Sequence, residues 1–287
     1  MFTGSDVVAL RQKTGAGILD CKKALTETDG DMDKAVDYLR EKGIATAAKK
    51  AGRIAAEGVC YAEVKGNTAV LVEVNCESDF VSKGEMFLAF VKEVAAYIFE
   101  HDVKDVEEVI EAMKGKTTEA IQKIGENIKI RRYEKYVSDQ AISTYIHMGG
   151  KIGVVVECAA GVSDETIHDV ALQIAAAKPL YVKDEEVPAD VIEKEKEILL
   201  AQIKNDEKLA NKPAQVIDKM VEGKVKKYYE ENCLLNQAFV KDPSVTVGAL
   251  LKKENSTVLR FTRYKMGEGL EKKTNDFAAE VEAQMKK

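Results

Sequence analysis

Two stretches of this chain repeat one another, and the repeat constrains the fold more than any single residue does. In the first, Gly66-Asn67-Thr68-Ala69-Val70-Leu71-Val72-Glu73-Val74 leads through a connection to Val91-Lys92-Glu93-Val94-Ala95-Ala96. In the second, Gly150-Lys151-Ile152-Gly153-Val154-Val155-Val156-Glu157-Cys158 leads to Val170-Ala171-Leu172-Gln173-Ile174-Ala175-Ala176. Glu73 aligns with Glu157, and Val94-Ala95-Ala96 with Ile174-Ala175-Ala176. The β-branched runs read as strands and the later segments carry helical spacing. Each copy opens with a further strand, over 58–64 and 141–147, so the repeated unit is a hairpin followed by a helix laid on one sheet face. The expected class is α+β, with two repeated subdomains built on antiparallel sheets.

The copies differ where the central strand ends. In the first, Asn75-Cys76-Glu77-Ser78-Asp79-Phe80-Val81-Ser82 stops the apolar run abruptly and sets an aromatic ring among acidic and polar neighbours, before helical spacing restarts at Gly84. This connection is longer than its counterpart, and the extra length carries Asp79 and Phe80. A connection held between two packed elements can present a rigid probe to a partner. The competing reading folds Phe80 back as a core plug and uses Ser78 or Asp79 to cap the next helix.

Outside the repeats, the first fifty residues show helical spacing at Asp6 to Lys13, Ile18 to Glu27 and Asp31 to Arg40, with stops at Thr14-Gly15-Ala16-Gly17 and before Gly43. This predicts three short helices with Val7, Leu10, Ile18, Ala24, Leu25, Ala35, Val36 and Leu39 in one small core, then a helical tail and a hinge over 45–53. The Gly15-Ala16-Gly17 stretch with Lys22-Lys23 lacks the spacing of a phosphate loop. Between the copies, 106–113 and 117–122 read as helix and 124–133 as a segment turning into an edge strand. Arg131 and Arg132 there either contact phosphate or serve as the solvated charge that discourages strand pairing.

After Pro179 the pattern changes to long amphipathic helix. Val191, Ile192, Glu195, Ile198, Leu199 and Ile203 form one stripe, and Pro213 opens a second helix striped by Val216, Ile217, Met220, Val221, Val225 and Tyr228. This antiparallel helical hairpin interrupts the second sheet, which resumes over 257–264. A short helix over 276–283 follows. The division is therefore a three-helix bundle over 1–53, a first subdomain with the wedge loop over 54–139, a second subdomain from 140–182 and 231–265, the inserted hairpin over 183–230 and a C-terminal helical module over 266–287.

Charge and cysteine usage exclude several functions. The formal net charge of −6 opposes a protein that coats nucleic acid, so no direct nucleic-acid partner is expected. No apolar run approaches the roughly 20 residues needed to cross a bilayer, and the N-terminus lacks the basic start of a signal peptide, so no membrane association and a cytoplasmic residence are expected. Cys21, Cys60, Cys76, Cys158 and Cys233 are scattered with no Cys-x-x-Cys pair, which fits reduced packing residues and neither zinc nor disulfide chemistry. A nucleophilic Cys76 would need a histidine beside it in space. Hydrolysis by Glu73, Glu77 or Asp79 is the other catalytic reading, against solvent-facing or capping carboxylates.

Several motifs, in order along essentially the whole chain, resemble the bacterial elongation factor Ts family: Arg11-Gln12-Lys13-Thr14-Gly15-Ala16-Gly17-Ile18-Leu19-Asp20-Cys21-Lys22-Lys23-Ala24-Leu25, Val74-Asn75-Cys76-Glu77-Ser78-Asp79-Phe80-Val81, Ile124-Gly125-Glu126-Asn127-Ile128 and Ala175-Ala176-Ala177-Lys178-Pro179. The resemblance implies a guanine nucleotide exchange factor for elongation factor Tu in translation elongation, binding the GDP-bound and nucleotide-free partner, with no catalytic residue, cofactor or metal of its own. It implies an N-terminal bundle like a ubiquitin-associated domain that binds the partner's GTPase domain, with Lys22 and Lys23 as contacts. It implies that the loop Ser78, Asp79, Phe80 and Val81 intrudes and dislocates the partner's Mg²⁺, that His147 contacts another partner domain, and that the C-terminal module docks on the GTPase domain. Losing a Mg²⁺ that bridges phosphate oxygens and protein removes much of the hold on GDP.

A ten-thousandfold weakening of GDP needs roughly 5.5 kcal/mol of coupling. One buried Phe supplies about 1.5–3 kcal/mol, so other contacts must contribute. The family commonly has Thr where this chain has Ser78; both hydroxyls can cap. It usually has His-Gly where this chain has His147-Met148, and Arg where it has Lys151, which leaves His147 open between a partner contact and a satisfied histidine at a sheet end. The helical hairpin either mediates a homodimer or faces solvent. The alternative function is a ubiquitin-associated-like adaptor or scaffold without exchange activity, which leaves the repeated sheets and the wedge loop unexplained.

Overall fold

The computed structural model describes residues 2–206, 209 and 212–271. Helices α1 (Gly4–Thr14), α2 (Ile18–Glu27) and α3 (Met32–Lys50) form the N-terminal bundle. α1 begins at a capping box: the Thr3 amide donates to Asp6 Oδ2 at 2.7 Å while the Thr3 hydroxyl accepts from the Asp6 amide. Leu10, Cys21, Ala24, Leu25 and Ala35 are fully buried in the bundle core. Ile18 was expected there and is 53% exposed instead. It is the first residue of α2 and falls on the outer side of that helix, and Cys21 one turn later takes the core position.

The expected stop before Gly43 is also corrected: α3 runs through it to Lys50. Glycine serves close packing here, since a Cβ at Gly43 would sit 2.7 Å from Gln122 Oε1 and 3.5 Å from Thr118 Cγ2. Both belong to the helix over Val106–Ile124, so the bundle lies against the first subdomain at this point.

That subdomain follows as β1 (Glu57–Lys65), β2 (Thr68–Cys76), a single-turn helix α4 (Asp79–Ser82), α5 (Glu85–Glu100), α6 (Val106–Ile124) and β3 (Lys129–Val137). The two helical segments expected over 106–122 are one helix. The sheet order is β1-β2-β3, antiparallel throughout, with β2 central. The second subdomain opens with β4 (Ala141–His147), β5 (Ile152–Cys158) and α7 (Asp164–Ala177). The inserted helices α8 (Ala189–Asn205) and α9 (Ala214–Asn232) pack on each other as the expected hairpin. On α8, Ile192 and Ile203 are buried but Ile198, placed on the same stripe from sequence, is 42% exposed. Two helices alone cannot bury a stripe that wide.

The chain then makes a small hairpin, β6 (Ala238–Phe239) with β7 (Asp242–Thr246), and α10 (Val247–Lys252), none of which the pattern announced. It returns as β8 (Val258–Lys265) to complete a sheet of order β4-β5-β8. The C-terminal helix expected over 276–283 lies outside the described residues.

The two sheets stack face to face between helical layers. On β2, Val70, Val72 and Val74 pack against Val91, Val94 and Ile98 of α5; on β5, Val154, Val156 and Cys158 pack against Val170, Ala171 and Ile174 of α7. The opposite faces meet each other through Cys60, Ala69, Leu71, Tyr136, Val155, Tyr264 and Met266. A central strand covered on both faces reads as a continuous apolar run, which is what both copies show. At Gly153 the sheets approach so closely that a Cβ would lie 2.6 Å from Leu71 Cδ1 and 2.9 Å from Cys60 Cβ.

The repeat extends to charge. Glu73 is fully buried and accepts from Arg131 Nη1 at 2.9 Å, Arg132 Nε at 2.6 Å and the Gly267 amide at 2.8 Å. Glu73 pairs across the strands with Arg132, and Glu157 with Arg260, whose guanidinium also bonds its carboxylate. Each arginine then lies over a tyrosine of the other sheet, Arg132 over Tyr264 at 4.1 Å and Arg260 over Tyr136 at 4.0 Å. This corrects two expectations. Arg131 and Arg132 are neither phosphate ligands nor a solvated edge, and Glu73 is neither solvent-facing nor capping; the two guanidiniums bond the one carboxylate. Burial would raise the Glu73 pKa, but the Gly267 N–H and the two guanidiniums outweigh it and hold the carboxyl below its ordinary range.

Candidate functional site

The connection between β2 and α5 spans 77–84, against 159–163 between β5 and α7, so the extra length lies in the first copy, where sequence put it. The added residues form α4. Ser78 caps it, its hydroxyl accepting from the Val81 amide at 3.3 Å, and the Ser82 hydroxyl donates to the Asp79 carbonyl at 2.7 Å. Val81 packs on the apolar core and Ser82 is buried, while Phe80 between them is 85% exposed. Of the competing reading, the cap is found, though on this added turn and not on α5, whose N-cap is Gly84; the core plug is not, because Phe80 points away from the core. A single helical turn places successive residues roughly 100° apart, so anchoring Val81 inward turns Phe80 outward.

The turn is fixed from beneath by one carboxylate. Glu126 Oε2 accepts from the Glu77 and Ser78 amides at 2.9 and 3.0 Å, and its Oε1 accepts from the Ser78 hydroxyl at 2.6 Å. In return Glu77 Oε1 accepts from the Asn127 amide at 2.7 Å. The Asn127 side-chain amide donates to the carbonyls of Ala51 and Arg53, which ties the bundle's connector to the same knot. Glu126 and Asn127, which hold this turn in place, were not singled out from the sequence for that role. Their signal was the Ile124-Gly125-Glu126-Asn127-Ile128 run, which carries no chemistry of its own until the fold brings it under the loop.

Asp79 is exposed and forms an ion pair with Lys83 one turn on, at 3.1 Å. The hydrogen bond and charge of Lys83, with a smaller contribution from Lys151, hold the Asp79 carboxyl below its usual value. Burial pushes the Cys76 thiol up to about 12, and that thiol donates to the Ser78 carbonyl. It is protonated at neutral pH and is a poor nucleophile.

His147 ends β4, half-buried, with Nδ1 3.1 Å from the Tyr145 hydroxyl. The turn after it lies against β1, and the Lys151 ammonium meets Glu57 at 2.7 Å. Glu57 pairs with Cys76, just before the turn that carries Phe80, so the structure brings His147 and the Phe80 turn to the same end of the molecule. Lys22 and Lys23 stand exposed on α2 in the separate bundle, next to Leu19, which is 81% exposed. Among the described residues, no group of His, Cys, Asp and Glu side chains is placed to hold a metal ion, and no helix is long and apolar enough to cross a membrane.

Compared with known families, residues 77–268 match the family described as elongation factor TS. The match takes in more than half of the chain, including the turn that carries Phe80, β3, the second sheet and the inserted hairpin, and begins directly after β2.

Proposed function

The chain belongs to the elongation factor Ts family, and we propose that it expels GDP from elongation factor Tu by pressing the Asp79-Phe80 turn into the partner's Mg²⁺ site. Family membership makes it a nucleotide exchange factor in translation elongation with elongation factor Tu as partner. The observation that carries the finer reading is Phe80 itself: a ring 85% exposed on a turn whose backbone is clamped by Glu126. A mobile loop would lose conformational entropy on insertion, whereas a clamped one delivers most of its contact energy to the partner.

In this mechanism Phe80 wedges between partner side chains and Asp79 enters beside it. Ser78 caps the turn and Val81 anchors it in the core. The displaced elements are those that organise the Mg²⁺ on the nucleotide phosphates, and GDP leaves when that electrostatic hold is lost. Linkage requires that the chain bind nucleotide-free elongation factor Tu more tightly than the GDP complex by the factor through which it weakens GDP. Phe80 cannot supply the whole coupling, so Lys22 and Lys23 on the bundle and His147 at the β4 end provide further contacts.

The test is release of a fluorescent GDP analogue from elongation factor Tu. The parent accelerates release; Phe80→Ala, at unchanged melting temperature, loses roughly tenfold or more of that acceleration, the expected size for a buried aromatic contact, and Asp79→Ala is also slower than the parent. Equal acceleration by all three proteins would remove the wedge mechanism and leave exchange to the other contacts.

A further inference from the structure

The turn between β4 and β5 holds a methionine in a conformation that favours glycine. Gly149 and Gly150 have φ of 63° and 95°, which glycine adopts freely, but Met148 before them sits at φ 50°. A residue with a Cβ is strained there, and such strain persists only where surrounding structure enforces it. No internal packing offsets it, because Met148 is 71% exposed.

The chain beyond Gly149 is fixed. The Lys151 amide donates to the His147 carbonyl at 3.1 Å, and the Lys151 ammonium meets Glu57 at 2.7 Å. The Gly150 backbone lies so close on β1 that a Cβ there would be 2.8 Å from Val59 Cβ. Glu57 pairs with Cys76, from which the Phe80 turn departs. Two exposed apolar side chains, Phe80 and Met148, therefore stand on two rigid turns joined through the end of one strand. A partner that covers Phe80 with an interface of ordinary size, about 800 Å² on each side, extends beyond one turn.

We propose that Met148 is a second apolar contact with elongation factor Tu, separate from the one that Phe80 makes and adjoining that of His147. The proposal rests on the exchange-factor reading. It assigns the binding energy that the Phe80 wedge alone leaves wanting, and it makes the Met148 turn a determinant of partner affinity and not a passive hairpin end.

The experiment separates contact from scaffold. Met148→Gly relieves the strain while removing the side chain, so its melting temperature is no lower than the parent's. Its affinity for nucleotide-free elongation factor Tu, read by titration, falls roughly tenfold or more. Met148→Asn, whose side chain tolerates the left-handed region, shows the same loss, and Met148→Leu, which keeps the apolar bulk, binds within a few-fold of the parent. Parent-like binding by both Met148→Gly and Met148→Asn would overturn the proposal. Absence of exchange by the parent itself would overturn the reading beneath it, a separate result.

Discussion

At Glu73 the chain sets a carboxylate where solvent does not reach and surrounds it with two guanidiniums and the Gly267 amide. Removing one member of a buried ion network is costly because the remaining charges lose their partner. Glu73→Gln should therefore lower stability by about 3 kcal/mol, at the low end of the usual range because Arg131 and Arg132 are each about a quarter exposed. Urea denaturation checks this. The same contacts set a pH dependence. Glu73 and Glu157 both have depressed carboxyl values in the folded chain, so the stability they contribute is fully present above the ordinary glutamate value of about 4.3 and is lost as pH falls through the lower folded values. The urea midpoint should be level from about pH 7 to 5 as far as these two groups are concerned and drop below about pH 4, and the drop should shrink in Glu73→Gln. Phe80 is the opposite kind of residue. Its ring touches mainly solvent, so Phe80→Ala should leave the midpoint within about 0.5 kcal/mol of the parent while exchange falls.

Among the elements, the turn over 77–84 exposes Phe80 and the segment after α6 holds it still. Glu126 accepts three hydrogen bonds from that turn. Glu126→Ala should cost about 1–3 kcal/mol, since two part-buried amides lose a charged acceptor. It should also raise hydrogen exchange at Glu77 and Ser78 and lower GDP release without removing any side chain that meets the partner. A variant with parent-like amide protection would show that the turn is held by its own cap. The element scale is also where sequence patterns misled. Gly43 signalled a helix end because glycine usually terminates helices. Here it sits within α3, where α6 comes too near for a Cβ. The strands β6 and β7 and helix α10 were missed because elements of two to six residues carry too little periodicity to be read.

For the whole molecule the decisive contact is sheet on sheet. Leu71, Cys60 and Val155 fill the space between the two sheets, and Gly153 lets them close. Gly153→Val should force the sheets apart and lower stability by about 1–3 kcal/mol or more, read as an earlier urea midpoint, because neither Leu71 Cδ1 nor Cys60 Cβ can retreat in a packed layer. Glu73 with Arg132 over Tyr264, and Glu157 with Arg260 over Tyr136, repeat one arrangement on both sides of this interface. The repeated glutamates were visible in the sequence, but their partners were not, because β3 and β8 lie far from the copies they complete and β8 is reached only after the inserted hairpin.

The sequence by itself determined the class of fold, the two copies of strand-strand-helix, the hairpin insertion and the longer connection that carries Asp79 and Phe80. These follow from local chemistry: continuous β-branched apolar runs, helical stripes, turn residues and an insertion in one of two equivalent connections. Only the tertiary structure decided which way Phe80 points, that Glu126 clamps its turn, that Arg131 and Arg132 serve a buried carboxylate, and that Met148 stands at the same end as Phe80. Each depends on residues far apart along the chain meeting in space, Glu73 with Gly267 and Ser78 with Glu126 among them. No local preference encodes such a meeting; it is set when the two sheets bury their inner faces against each other.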